Sequence, residues 1–402
     1  MNQKLTRKKL LWVVLAALGA ASMPAAQAAD EQDVIKLSAD VGLGYDSNAY
    51  RTHSGAYTDP SAFVPPQNPI IQSGFFVPFD VRGKYVADTA IGSSLAASAN
   101  ADGRFYLGSD LTNANELKLM SRLGMNNLMA RDGGRSESAY VGGLLGRVDN
   151  FNYDPDTGKA RLVGPADDRN VSNRDSYTTL GLEGNYANEM SDIRYGVMGV
   201  LEERTHDDPI VSDNYSNTYM RFGGHAEAKV IAGSRLKATY LHTIRDFKER
   251  NPRDLTGNRG NANGLLEWSD NSYRLSLRNK VGADALVYLD YGLTTRTDNF
   301  VGYDNFTENK FGIRLDYAPG EQWRTRLAFT WADVDYDNAL AFNTAGQAKL
   351  TETNIDANIK TEYEYSKDLS AWVGLEHEAV NTNDLRYDYS RNQFMVGSRL
   401  KF

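Results

Sequence analysis

The sequence predicts an all-β fold, a closed antiparallel transmembrane β-barrel of about 16 strands, within a range of roughly 14 to 18, with both chain ends on the periplasmic side. Three observations predict it. Apolar and polar residues alternate with a period of two from residue 34 to residue 402, the alternating segments are even in number, and the breaks between them alternate between short and long. Successive side chains of a strand point to opposite faces, so each segment has one face suited to hydrocarbon and one suited to water.

Residues 1–29 are predicted to be a cleaved secretory signal peptide, which leaves residues 30–402 for the barrel. An apolar run at residues 10–21 is followed by small residues typical of a cleavage site near residue 28. A membrane-anchoring helix is the alternative, but the run is shorter than the ~20 apolar residues that a span requires. The basic residues that precede the run are Lys4, Arg7, Lys8 and Lys9.

The composition excludes several classes of protein. Without the signal peptide, 40 Lys and Arg residues face 52 Asp and Glu residues, a formal charge of −12 that makes nucleic acid an unsuitable partner. The absence of cysteine excludes a disulfide scaffold, a thiolate metal site and a cysteine nucleophile. No cofactor or metal is expected. Mean hydropathy is that of a soluble protein, but alternating strands average to polar, so periodicity has to decide.

The alternation is clearest in the first segment, where the odd positions from Ile35 to Tyr45 are apolar and the even positions between them are polar or glycine. Aromatic residues such as Tyr317 and Trp323 lie near strand ends on the apolar face, where interface girdles belong, although strand propensity alone also favours them. The sixteen segments lie at residues 34–45, 75–85, 91–104, 117–126, 139–150, 178–186, 193–204, 220–230, 236–245, 273–278, 287–296, 310–317, 323–331, 355–365, 373–379 and 391–402.

The breaks between segments favour a membrane barrel over a soluble β-sandwich. Short periplasmic turns that alternate with longer extracellular loops are typical of outer-membrane barrels. An open sheet edge cannot lie in lipid, so the sheet must also close on itself. Short breaks lie near residues 88–90, 131–136, 188–191, 231–234, 280–284, 319–322 and 367–370, and long breaks at 47–70, 152–173, 248–264 and 338–350.

The last segment ends on the aromatic residue Phe402. It resembles the last strand of Gram-negative outer-membrane barrels, whose assembly machinery reads that ending. The resemblance implies export through the periplasm to the cell outer membrane. It also implies outer-membrane lipid, lipopolysaccharide and the assembly machinery as partners. An edge strand of a soluble sheet is the alternative. One face holds Phe394, Val396, Leu400 and Phe402, and the other holds Arg391, Gln393, Arg399 and Lys401.

A barrel of this size leaves an aqueous channel, and its predicted inward face is rich in arginine with carboxylates among them. Rings of charge in a wet pore tune which solutes pass. The alternative is that these residues only make the lumen wall polar. The predicted pore-lining residues are Arg82, Arg104, Arg122, Arg194, Arg221, Arg274, Arg278, Arg314, Arg324, Arg326, Glu227, Asp290, Glu362 and Glu376.

Residues 152–173, the third connection on the side that carries the long breaks, are the candidate constriction element, because this loop resembles the inward-folding third loop of general porins. Its candidate residues are Asp154, Asp156, Asp167 and Asp168. Asp154 to Gly158 also suggests a calcium loop, but the remaining carboxylate spacing is missing. A loop exposed to water explains these residues equally well.

At the end of the first segment, the residues from Gly44 to Asn48 read Gly-Tyr-Asp-Ser-Asn. This string resembles the opening of the beta-barrel porin 2 family of Gram-negative bacteria, in which it ends the first strand. Several members of that family look like exopolysaccharide-secretion components. The resemblance implies a porin-like barrel, with a polysaccharide or a periplasmic secretion partner as a further candidate partner.

Three functions compete. The favoured one is a passive, non-enzymatic channel for polar or charged solutes or for exopolysaccharide. The second is a structural, assembly or adhesion barrel whose extracellular loops bind a partner. The third is an outer-membrane hydrolase, which would need a nucleophile, a base and an orienting group at one site. The five histidines show no H-E-x-x-H or paired metal spacing, so no catalytic residue is predicted.

Overall fold

The computed structural model describes residues 34–54, 70–89, 93–108, 111, 114–132, 135–150, 162–164, 167–170, 172–207, 214–260, 263–341 and 348–402. The predicted signal peptide, residues 1–29, lies outside the described residues. Within the part of the chain that the structure describes, no helix is long and apolar enough to cross a membrane.

Eighteen β-strands form in the described residues, and sixteen of them belong to one sheet. Most are 12 to 18 residues long. The strands are β1 (Val34–Asp46), β2 (Gly74–Asp88), β3 (Ser93–Leu107), β4 (Glu116–Asp132), β5 (Arg135–Asp149), β6 (Leu162–Gly164), β7 (Asp167–Asn170), β8 (Tyr177–Met190), β9 (Ile193–His206), β10 (Asn217–Ile231), β11 (Ser234–Phe247), β12 (Glu267–Val281), β13 (Ala285–Asp298), β14 (Phe306–Tyr317), β15 (Trp323–Leu340), β16 (Lys349–Ser366), β17 (Leu369–Thr382) and β18 (Tyr389–Lys401).

The sheet closes on itself, which confirms the predicted sixteen-stranded antiparallel barrel. Each barrel strand pairs with its neighbours in chain order, with β5 followed by β8, and β1 pairs with β18 from Ser38 opposite Lys401 to Asp46 opposite Gln393. Phe402 extends this seam, because its N–H donates to the Leu37 carbonyl at 2.8 Å. Strands β6 and β7 form a separate two-stranded sheet that the sequence did not predict.

The two ends of the barrel differ. The end that we call the turn side carries short turns together with Val34 and Phe402, and the opposite, loop side carries the longer connections. The break predicted at residues 338–350 is too wide, because β15 continues to Leu340 and β16 begins at Lys349. Beyond the predicted segment at residues 323–331, the outward side chains of β15 include Asp335, which pairs with Thr351, so the apolar alternation stops while the hydrogen-bonded ladder continues.

A contact across the barrel identifies its inner face. Arg104 of β3 donates to Glu376 of β17 at 3.3 Å, although β2, β1 and β18 lie between these strands in the sheet. Side chains separated by three strands can meet only on the concave side. The face that carries Arg104 is therefore the interior, and the strand register extends this assignment around the barrel.

The outer face carries an apolar belt bordered by aromatic rings. On β1, exposed apolar side chains run from Ile35 to Tyr45, about 33 Å along the strand. Near the loop side Tyr291, Phe311 and Trp331 stand opposite one another on adjacent strands. This is the pattern of a surface that faces lipid between two interfaces.

Candidate functional site

The lumen is the candidate functional site, and the structure places all fourteen predicted pore-lining residues on the interior face. Residues directly opposite each other on adjacent strands point to the same face, so the register extends the interior assignment of Arg104 and Glu376 to each of them. The residues so placed are Arg82, Arg104, Arg122, Arg194, Arg221, Arg274, Arg278, Arg314, Arg324, Arg326, Glu227, Asp290, Glu362 and Glu376.

Part of the lumen is filled by a hydrophobic cluster at the seam between β1 and β18. Two glycines make room for its largest rings. A Cβ at Gly397 would lie 2.5 Å from the Trp372 ring, and one at Gly44 would lie 2.5 Å from the Phe76 ring. The rings therefore lie close against the wall. The buried members of the seam cluster are Ala49, Phe76, Tyr106, Leu111, Trp372 and Met395.

A buried ion pair lies beside the seam cluster. Arg391 donates to Asp46 Oδ2 from Nε at 2.8 Å and from Nη2 at 2.6 Å, and the two side chains are 1% and 0% exposed. The same carboxylate accepts hydrogen bonds from Gln393 at 2.6 Å and from the Tyr106 hydroxyl. The backbone N–H of Asn48 donates to Oδ1 at 2.9 Å. Asp46 therefore joins β1, β3, β18 and the first loop.

A second charge cluster lies nearer the turn side. Asp40 accepts hydrogen bonds from Trp372 Nε1 at 2.5 Å, Arg399 Nη2 at 2.8 Å and Lys360 Nζ at 3.3 Å. The Lys360 ammonium also lies 3.9 Å from the Trp372 ring centroid, a favourable cation–π position. Arg399 connects this cluster with Glu362 at 2.7 Å.

Residues 47–54, the described start of the first long loop, enter the lumen. Asn48 holds the loop by exchanging hydrogen bonds with the Thr52 backbone at 2.8 and 2.9 Å. At the tip of this turn Arg51 donates to Glu116 of β4 at 3.0 Å and to Glu378 of β17 at 3.1 Å. Sequence reasoning did not identify this loop as a lumen element. The turn-forming run Asp46-Ser-Asn48 was its only local signal.

The predicted constriction element at residues 152–173 lies mostly outside the described residues. Asp154 and Asp156 lie outside the described residues. Asp167 and Asp168 lie in β7, where the structure describes the backbone alone. The third loop therefore stays a prediction.

The turn-side mouth of the lumen is basic. On each of β11, β12 and β15, the two interior positions nearest the turn side carry a cation. Part of this mouth forms a cavity of about 600 Å³. Among the described residues, Arg278 and Lys280 make no ion pair. Arg324 and Arg326 are 59% and 60% exposed although Glu364 and Asp316 lie near them. The six residues of this basic mouth are Arg235, Lys237, Arg278, Lys280, Arg324 and Arg326.

On the loop-side part of the wall opposite the seam, arginines cover aromatic rings. Arg204 lies 3.7 Å from the Tyr219 ring centroid, and Arg296 lies 4.4 Å from that of Trp268. Arg296 also pairs with Asp270 at 2.7 Å. These contacts order the arginine side chains along the wall, so that their charges line the lumen at fixed positions.

The described residues provide no cluster of metal ligands. Within them no group of three or more His, Asp and Glu side chains could hold a metal ion. His242 and His377 lie on the outward face, and each contacts an asparagine, Asn271 or Asn392. His225 faces the lumen beside Gly196.

Comparisons with solved structures return outer-membrane proteins. A loop L8 deletion mutant of OmpT, an outer membrane protein of Vibrio cholerae, has a TM-score of 0.47 and 9% identity over 92% of this chain and 100% of that chain. A bacterial polysaccharide outer membrane secretin has a TM-score of 0.43 and 10% identity over 93% of this chain and 99% of that chain. OpdK of Pseudomonas aeruginosa with vanillate has a TM-score of 0.43 and 12% identity over 92% of this chain and 99% of that chain.

These likenesses concern overall form, and their TM-scores and identities are too low to carry a functional inference. No protein-family model matches the sequence, and a search of curated proteins finds no match.

Proposed function

We propose that this protein is a non-enzymatic channel of the Gram-negative outer membrane that passes polar solutes and favours anions. The basic mouth is the observation that carries the proposal. Six cations, two each at the turn-side ends of β11, β12 and β15, concentrate anions at the entrance, because the low-dielectric wall focuses their field. The loop side would then face the cell exterior, and the turn side the periplasm.

Reversing two charges of the basic mouth is expected to reverse the selectivity. The double variant Arg324→Glu/Arg326→Glu changes the charge of the mouth by four units, and both side chains are largely exposed to the lumen. The chloride-to-potassium permeability ratio should fall at least about threefold, because charge near a pore entrance sets the local ion concentration. Reversal potentials across planar bilayers in a KCl gradient measure this ratio.

The matched control is Arg147→Glu/Lys248→Glu, which makes the same charge change on the outward side. Arg147 pairs there with Asp207, and Lys248 with Glu203. This control should leave the permeability ratio unchanged, and heat-modified gel mobility should verify that both variants fold. A folded barrel without conductance steps would contradict the channel and favour the structural or adhesion barrel. Equal selectivity of all variants would contradict the anion preference.

Exopolysaccharide is the solute class that we propose within this function, with export as the direction. The support is the resemblance of the Gly44–Asn48 string to the beta-barrel porin 2 family, together with a mouth that suits acidic sugars. A polysaccharide or a periplasmic secretion protein would then be a partner at the turn side. Acidic oligosaccharides added at that side should block the current, and neutral ones of equal length should block it less.

Deleting Phe402 is expected to reduce assembly into the outer membrane severely. The residue donates to and accepts from Leu37 at the barrel seam, and its ring is 72% exposed on the outward face. We propose that the assembly machinery recognises this ending, after which the barrel contacts lipid and lipopolysaccharide. Membrane fractionation should show several-fold less folded protein. Phe300→Ser, which removes an exposed ring from a loop, is the control and should assemble normally. Normal assembly of the deletion variant would contradict this role of Phe402.

A further inference from the structure

Arg51 occupies an unusual position for a loop residue. Its φ is 53°, in the left-handed region that residues with a side chain rarely adopt. Such a conformation persists where the surroundings over-determine it, and it is found most often at functional sites. The surroundings here are Asn48, whose carbonyl accepts the Arg51 N–H at 3.2 Å, and the two carboxylates that bind the guanidinium.

The loop that presents Arg51 is built to hold it. Ser47 exchanges hydrogen bonds with Asn392, at 2.9 Å from the Ser47 N–H and 2.8 Å to its hydroxyl. Asn48 and Thr52 are almost completely buried. The turn is therefore fastened to β18 at its base, and Arg51 extends from it as a rigid projection.

Arg51 crosses part of the lumen. Its two partners, Glu116 of β4 and Glu378 of β17, are separated in the sheet by β3, β2, β1 and β18. The ion pair between Arg104 and Glu376 runs beside it in the same direction. The Arg51 side chain nevertheless remains 37% exposed and lines the lumen, while its guanidinium bridges the two walls.

The side chains around Arg51 are mostly acidic, so its positive charge offsets part of theirs. A cavity of about 330 Å³ on this side is lined by four carboxylates and three arginines. One of the three, Arg391, is already bound to the buried Asp46. Without Arg51, Arg104 would be the one arginine of this lining that is not bound to Asp46. The four carboxylates are Glu116, Asp356, Glu376 and Glu378.

We propose that residues 47–54, the described start of the first long loop, are a constriction element of the lumen and that Arg51 is its selectivity-determining residue. The side chain narrows the loop-side passage, and its charge keeps that passage open to anions despite the surrounding carboxylates. This inference rests on the proposed channel function. It assigns the constriction to a loop other than the one that the sequence predicts.

The absence of cysteine from the sequence allows a direct test, because Arg51→Cys introduces the sole thiol. In planar bilayers the variant should conduct at least about 1.5-fold better than the wild type and should be less anion-selective. A trimethylammonium-ethyl thiosulfonate reagent restores a positive charge and bulk, so it should return both properties toward the wild type. A sulfonate-ethyl reagent should drive the selectivity toward cations.

The control is Arg147→Cys, which places the sole thiol on the outward face at another arginine that pairs with two carboxylates. Neither reagent should change its current. If the wild type shows no conductance, the proposed function fails. If the wild type conducts but the two reagents act equally at position 51, or do not act although mass spectrometry shows labelling, the role of Arg51 fails while the channel stands.

Discussion

Replacing Asp46 with alanine is expected to lower the free energy of unfolding by about 3–5 kcal/mol, because it leaves the buried Arg391 guanidinium without its main counter-charge. Arg391 is 1% exposed, so bulk water does not solvate its guanidinium. Its remaining acidic contact, with Glu378, is longer, at 3.4 Å. Gln393 and Tyr106 also lose their shared acceptor. Equilibrium urea unfolding in lipid vesicles, followed by tryptophan fluorescence, measures the loss.

Two variants separate this effect from a general cost of removing charge. Arg82→Ala removes an arginine that is 69% exposed and paired with Asp80, so its expected cost is below about 1 kcal/mol. The double variant Asp46→Leu/Arg391→Met removes both buried charges and should recover a large part of the loss, since a buried pair can be replaced by apolar groups at little cost. Equal losses in all three variants would show that Asp46 has no special role at the seam.

The fold could be predicted from the sequence because a strand has a period of two. Each barrel strand needs only this local rule to place Arg104 and Glu376 on the polar face, and lipid outside enforces the rule along the whole chain. The rule weakens where strands extend beyond the apolar belt. The predicted segment at 323–331 was too short for this reason, since Asp335 and Thr351 are paired but polar.

The site was less predictable, because a period assigns a side chain to a face but not to a partner. Arg104 and Glu376 are 272 positions apart, and their contact depends on the curvature of the closed sheet. Asp46 looked like an ordinary loop opener, yet its partner Arg391 lies 345 positions away. Arg51 enters the lumen only because β18 fastens the preceding turn, and no local pattern encodes that.

Replacing Trp372 with alanine should have the second large effect, a loss of about 3–5 kcal/mol together with a wider lumen. The ring is 8% exposed and packs over Gly397, so its removal leaves a cavity at the seam. Its Nε1–H also donates to Asp40 at 2.5 Å. Single-channel conductance should therefore rise as stability falls, which urea unfolding and planar bilayer recordings measure on the same preparation.

Trp372→Phe separates packing from the hydrogen bond. It keeps most of the ring and loses only the donor, and Asp40 still binds Arg399 and Lys360, so the expected cost is about 1–2 kcal/mol with little change in conductance. Trp323→Ala, which removes a half-exposed ring from the outward belt, should leave conductance unchanged. If conductance rose equally in the Trp323 and Trp372 variants, a general loosening of the barrel would explain it. A rise confined to Trp372→Ala requires that the seam cluster itself occupies part of the passage, since only a ring inside the lumen can yield space to ions when it is removed.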